Sequence, residues 1–199
     1  MKNMYTKILA QLNRSNSIVL ASIIKSSGST PRGIGAKMAY FSDGTTIGTV
    51  GGGAIEYDCT KECKAMMNSK QAFCKSYTLN HNDAADIGMV CGGECTVYFQ
   101  HLSANDAKNI ELFSYICEKI EHGIPTWLVT KVVDNKTALG VYTHTDGLKF
   151  LKTDSDIAHL IKNKAVYDSV LSLYIEPLTQ SGVVYIFGGG HVSQALVPM

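Results

Sequence analysis

Arginine is almost missing from this sequence: of 18 basic residues, only Arg14 and Arg32 are arginine. The lysines that make up the rest are scattered, and 17 acidic residues bring the net charge to +1. No general field therefore favours nucleic acid or an anionic membrane surface. Long hydrophobic runs are missing too; none approaches the roughly 18 residues of a membrane span. The stretch from Met1 to Arg14 mixes lysines with polar residues and lacks the apolar core of an export signal. Six cysteines without such a signal imply a reducing, cytoplasmic setting and free thiols rather than disulfides. Familiar catalytic signatures are also absent, with no serine–histidine–aspartate order, no HExxH and no Walker sequence. Charged residues make up 18% of the chain and apolar ones 45%, enough to bury a proper core.

What the chain does have is glycine in clusters. The first reads Gly28-Ser29-Thr30-Pro31-Arg32-Gly33-Ile34-Gly35-Ala36-Lys37, the second Gly48-Thr49-Val50-Gly51-Gly52-Gly53, and the third Gly88-Met89-Val90-Cys91-Gly92-Gly93. Glycine loses more backbone entropy on ordering than any other residue. Such clusters are tolerated where the backbone turns sharply or comes close to something else. Amides presented that way make anion cradles.

Periodicity places these clusters between elements. Met4, Ile8 and Leu12 have helical spacing within 1–13, and Ser17 to Lys25 reads as a buried strand. Ala36–Phe41 and Thr45–Val50 read as strands joined by the Ser42-Asp43-Gly44 turn. Ala54–Ser69 reads as a helix with Ile55, Cys59, Cys63 and Met66 on one face, so the triple glycine opens it. Strands follow over 72–79 and within 91–102, then a helix over 105–122 stopped by Gly123. A three-strand meander covers 126–133, 137–143 and 148–151. A short helix over 154–163 and a strand over 169–177 are expected next. Val183 to Phe187 is a continuous apolar strand leading into Gly188-Gly189-Gly190-His191-Val192-Ser193, the opening of a dinucleotide fold. The fold class is thus α/β, a mixed α+β sheet domain over 1–180. A truncated Rossmann-like strand–turn–helix covers 181–199.

In the first two clusters, the amides of Gly33 and Gly35, the Arg32 fork and the Lys37 charge form one wall of a candidate phosphate site. The amides of Gly51, Gly52 and Gly53 form the other. Tight turns with no ligand explain the same glycines equally well. Cys91, between small neighbours and beside Gly92 and Gly93, is a candidate thiolate for a soft metal or for carrying sulfur; a small buried residue is the alternative. Glu56, in the first turn of its helix, suits the helix dipole or a ligand's ring nitrogens. Cys59, Cys63, Cys91 and Cys95 could in principle hold zinc. Cys59 and Cys63, however, continue an apolar stripe, and packing accounts for them and for Cys95, Cys74 and Cys117. His81, Asp83 and Asp86 read as a solvated loop.

The three glycine clusters in this order, from Ser27 through Glu94, together with Val184 to Ser193, resemble the xanthine dehydrogenase accessory factor family (XdhC/CoxI type). The resemblance implies a non-catalytic chaperone of the molybdenum cofactor, molybdopterin. Such a protein would hold the cofactor during sulfuration by a cysteine desulfurase and pass it to a molybdenum hydroxylase client. A homodimer is expected. The cofactor's phosphate would suit the glycine and arginine loops, its pterin ring Glu56, and its molybdenum Cys91. The sequence stops after one strand and a partial helix of the Rossmann-like unit, so dinucleotide binding is not expected. A nicotinamide-dependent oxidoreductase and a zinc-stabilised scaffold are the rival readings.

Overall fold

The computed structural model describes residues 2–78 and 92–178 together with positions 188, 190, 191 and 194. Its first sheet has five strands in the order β3-β2-β1-β5-β4: β1 is Ile18–Ser27, β2 Lys37–Phe41, β3 Thr46–Gly48, β4 Phe73–Thr78 and β5 Glu94–Leu102. The central strand β1 reads as one apolar run because both its faces are covered. Val19, Ala21 and Ile23 face one layer, and Ile18 and Leu20 face another. The first layer is helix α2 (Gly53–Ser69), which seats Ile55, Cys59, Cys63 and Met66 on the sheet. On the opposite face lies α1 (Lys2–Asn13), which buries Tyr5, Ile8 and Leu12. Beside it runs α3 (Ala107–Glu121), burying Leu112, Phe113 and Ile116.

The expected β2–β3 hairpin forms. Asp43 Oδ1 accepts from the Thr45 amide at 2.9 Å and from its hydroxyl at 2.6 Å, an Asx turn that sets the reversal. Helix α3 begins at the cap residue Asp106, whose side chain accepts from the Lys108 amide at 3.0 Å. It ends at Gly123, where the Ile124 amide reaches back to the Lys119 carbonyl at 2.9 Å.

The meander does not extend the first sheet. It forms the centre of a second one, ordered β8-β7-β6-β10-β9, with β6 Thr126–Lys131, β7 Leu139–Thr143, β8 Gly147–Lys149, β9 Val166–Asp168 and β10 Leu173–Pro177. Every strand pair among the described residues is antiparallel, in keeping with the α+β expectation. Helices α1 and α3 share one core cluster with both sheets, through Leu20 and Phe41 on one side and Leu128 and Val141 on the other. Elsewhere the sheets meet directly, with Ile24 and Tyr98 against Tyr174.

Three readings change. The short helix expected over 154–163 is a single 3-10 turn, Ala158–Leu160. That turn suffices to bury Ile157 and Leu160 beside Trp127. The Lys162 carbonyl is taken by Trp127 Nε1 at 2.7 Å instead of by a longer helix. The strand expected over 169–177 begins only at Leu173, because its first residues form the turn from β9, held by the Leu171 amide on Asp168 Oδ1 at 2.8 Å. Cys74 is exposed rather than core, on the outward side of edge strand β4, and Cys117 is half-buried. The expected strand over 183–187 lies outside the described residues.

Candidate functional site

The first two glycine clusters and the described end of the third, Gly92 and Gly93, meet at one end of the first sheet. The loop leaving β1 lies against the residues that enter β5. A Cβ on Gly93 would stand 2.3 Å from the Ser29 carbonyl oxygen and 2.8 Å from Thr30 Cγ2. Only a residue without a side chain permits so close an approach. The same loop touches the second cluster, since a Cβ on Gly51 would lie 3.4 Å from Pro31 Cβ. These contacts bring Gly51 and Gly93, with their neighbours Gly52, Gly53 and Gly92, to the loop that holds Gly33. Gly35 departs from the expectation: a Cβ there would stand 3.2 Å from Ala165, and its amide donates to the Ile23 carbonyl at 3.0 Å, so it is not free for a phosphate. Cys91, the proposed metal and sulfur ligand, lies outside the described residues, next to Gly92.

The first loop is stiffened by its own hydroxyls. Ser26 Oγ and Thr30 Oγ1 are 2.8 Å apart, and Thr30 Oγ1 donates to the Arg32 carbonyl at 3.0 Å. The Arg32 side chain is exposed and has no partner among the described residues. Gly33 adopts no left-handed angle, and a Cβ there would meet nothing within 4 Å. A Cβ on Gly52 or Gly92 would likewise meet open space. Two concavities flank the root of this loop and share Lys25 and Ser26. One, of about 320 Å³, is lined by Ile24, Ile34, Tyr167 and Ser169; the other, of about 230 Å³, by Tyr77, Glu94 and Cys95 among others.

At the start of α2 the backbone donors are partly used. The Gly51 amide donates to Thr49 Oγ1 at 3.1 Å, and the Gly52 amide to Glu56 Oε2 at 3.2 Å. The Thr49 hydroxyl donates to that same carboxylate oxygen. Glu56 is thus the helix's own anion, reaching back over its N-terminus. The amides of Gly53, Ala54 and Ile55 remain as first-turn donors for which a helix supplies no acceptor. Thr49 was not singled out by sequence; its signal is a hydroxyl two residues before a glycine amide.

Lys37 corrects the expectation made for it. Alternation along β2 turns Met38 and Tyr40 toward α2, and hence Lys37 toward the second sheet. There its ammonium is buried and pairs with Glu176 of β10, and it donates to the Tyr5 hydroxyl at 3.0 Å. Tyr174 donates to the other Glu176 oxygen at 2.9 Å. Burial alone would pull the Lys37 pKa down, but Glu176 and Tyr5 outweigh it and hold it above the ordinary 10.5. Burial pushes the Tyr5 hydroxyl up to about 12. Lys37 ties the sheets together and has no charge left for the glycine loops.

Cys59, Cys63 and Cys95 behave as packing groups. Burial pushes the Cys59 thiol up to about 12 and raises those of Cys63 and Cys95 as well. Among the described residues no cluster of three or more histidine, cysteine or acidic side chains could hold a metal. His81, Asp83 and Asp86 lie outside the described residues. At the C-terminal end, the Gln194 amide donates to the Gly190 carbonyl at 3.1 Å, the first bond of a helix opening at the glycine turn. No helix among the described residues is long and apolar enough to cross a membrane.

Residues 11–78, which hold the first two glycine clusters, match the XdhC and CoxI family. A stretch of 96 residues is 29% identical to the uncharacterized protein YqeB of Escherichia coli (strain K12), spanning 48% of this chain and 18% of that protein. Among solved structures, a protein described as a xanthine dehydrogenase from Bacillus halodurans superposes with a TM-score of 0.67 at 20% identity. That match covers 87% of this chain and 52% of the solved one, so the chain spans about half the length of its structural neighbour.

Proposed function

From an XdhC-type family, which the match over 11–78 and the shared fold support, we propose that this chain is an accessory factor that holds the molybdenum cofactor for a xanthine dehydrogenase-type hydroxylase. It carries the cofactor rather than catalysing a reaction. The observation that carries this reading is the convergence of three glycine clusters around open space beside an unpaired arginine. Glycine is imposed by packing at Gly93 and favoured by left-handed backbone at Gly52 (φ 75°) and Gly92 (φ 54°), but neither applies to Gly33. A bound group coming close to the backbone accounts for Gly33.

When bound, molybdopterin supplies a phosphate, a pterin ring and a dithiolene holding molybdenum. The Arg32 guanidinium offers a planar fork for the phosphate. The amides of Gly33, Gly53 and Ala54 are suited to the remaining oxygens. Glu56 keeps one carboxylate oxygen, Oε1, for a ring N–H while Oε2 holds Gly52. Cys91 is the proposed soft ligand. A cysteine desulfurase and the client hydroxylase are the proposed partners, and the carrier is proposed to act in the cytoplasm as a homodimer.

Expression in a host that makes molybdopterin, followed by fluorescence detection of the released pterin, tests this directly. The unmodified chain should co-purify with pterin, while Arg32→Ala and Cys91→Ser should retain several-fold less. Equal pterin in all three proteins would rule out this site.

A further inference from the structure

We propose that a second ligand site, built for a small organic phosphate, lies at the end of the first sheet remote from the glycine loops. It is a cavity of about 350 Å³ between the first turn of α3, the β6–β7 turn and the segment after β8. That volume falls within the range of small-molecule pockets. Strand β5 runs from the glycine loops to this cavity, its nine residues setting the two sites apart by on the order of 30 Å.

Three separate segments each bring a lysine to the cavity: Lys108, Lys136 and Lys152. None of them makes an ion pair among the described residues. The only acidic lining residue, Asp106, has already committed an oxygen to the Lys108 amide at 3.0 Å. Three lysines against one carboxylate leave this concavity net positive in a chain of net charge +1. Like charges brought together repel, and an anion placed among them is attracted by all three.

The rest of the lining mixes polar His101, Ser103, Asn109 and Thr137 with an apolar patch. Leu112 and Leu139 are buried, Leu151 is half-buried, and Phe150 is 40% exposed. Phe150 adopts a left-handed φ of 67°, a region that bulky residues avoid. Its ring packs edge-on to Tyr115 with centroids 5.7 Å apart. Three lysines beside a mixed polar and apolar lining describe a ligand with an anionic head and a small, partly apolar body. A phosphate monoester brings close to two negative charges and three acceptor oxygens, which matches three ammonium groups reaching in from three segments. Lysine serves phosphate well as a point charge.

Calorimetric titration of the full chain with phenyl phosphate tests the site. Saturable binding to one site is expected. Lys108→Gln, Lys136→Gln and Lys152→Gln should each weaken it about three- to tenfold, the loss typical of one charge-assisted contact. Lys61→Gln on α2 should bind as the unmodified chain does. Three results would overturn the proposal: no saturable binding, undiminished affinity in the three cavity variants, or an equal loss in Arg32→Ala. The last would place the probe at the glycine loops.

Discussion

Arg32 and Lys37 belong to one ten-residue stretch of sequence, yet the fold sends their charges in opposite directions. Arg32 stays exposed and unpaired on the loop, while Lys37 is buried against Glu176. Sequence could show that both were basic and near glycine. It could not show the partner of Lys37, because Glu176 lies 139 residues away on the other sheet. Removing one member of a buried pair leaves the other charge without compensation. Lys37→Met should therefore destabilise the chain by about 3–5 kcal/mol, and adding Glu176→Leu should recover most of that. Denaturant unfolding of the single and double variants measures it; a single variant no worse than an exposed lysine would refute the role. The pair also predicts an alkaline limit. Lys37 and Tyr5 both hold their protons more tightly folded than unfolded. Their contribution is complete below about pH 10, where both states are protonated alike. It is lost as pH rises further, because the unfolded chain sheds these protons first. Stability should fall as pH rises from about 10 toward about 12 in the unmodified chain, and by a smaller amount in the double variant.

At the scale of elements, the helices were the most legible part of the sequence. Spacing marked Ile55, Cys59, Cys63 and Met66 as one face, and all four are buried on the first sheet. Strand β9 was missed because it is three half-buried residues with no alternation to read. The turn opening α2 was half legible. The triple glycine signalled a helix start, but the use of Glu56 and Thr49 to satisfy Gly52 and Gly51 appears only in three dimensions. Glu56→Ala should cost about 1 kcal/mol by leaving the Gly52 amide and the helix N-terminus without their anion; thermal unfolding reads this as a lowered Tm. Gly93→Ala belongs to the same scale but acts on the contact between loops. Its new methyl group would have to displace Ser29, at a cost of about 1–3 kcal/mol. It should lower both Tm and cofactor retention. A Gly93→Ala protein with unchanged Tm would mean that the loops are not held together as described.

For the whole molecule, the mixed α+β class followed from the sequence, whereas the division into two sheets did not. Consecutive strands in a meander pair with one another wherever they sit, so local pattern cannot say which sheet they join. What assigns 126–149 to a separate sheet is burial against α1 and α3 through Leu128, Leu139 and Val141. That arrangement leaves the glycine loops at one end of the molecule and the lysine-lined cavity at the other. The pairing of the first two glycine clusters was read from their spacing, and the third joined them only through the family resemblance. The contact that brings it there, of Gly93 with Ser29 and Thr30, required the register of β5 on β1.

Gly33 is a glycine that neither packing nor a left-handed backbone requires. Its backbone angle suits any residue, and a methyl group there would touch nothing within 4 Å. Cofactor retention and Tm of Gly33→Ala, measured side by side with the unmodified chain, are therefore decisive. If the loops cradle the cofactor, Tm will be unchanged and the released pterin will fall several-fold. Full pterin retention at unchanged Tm would contradict the cradle.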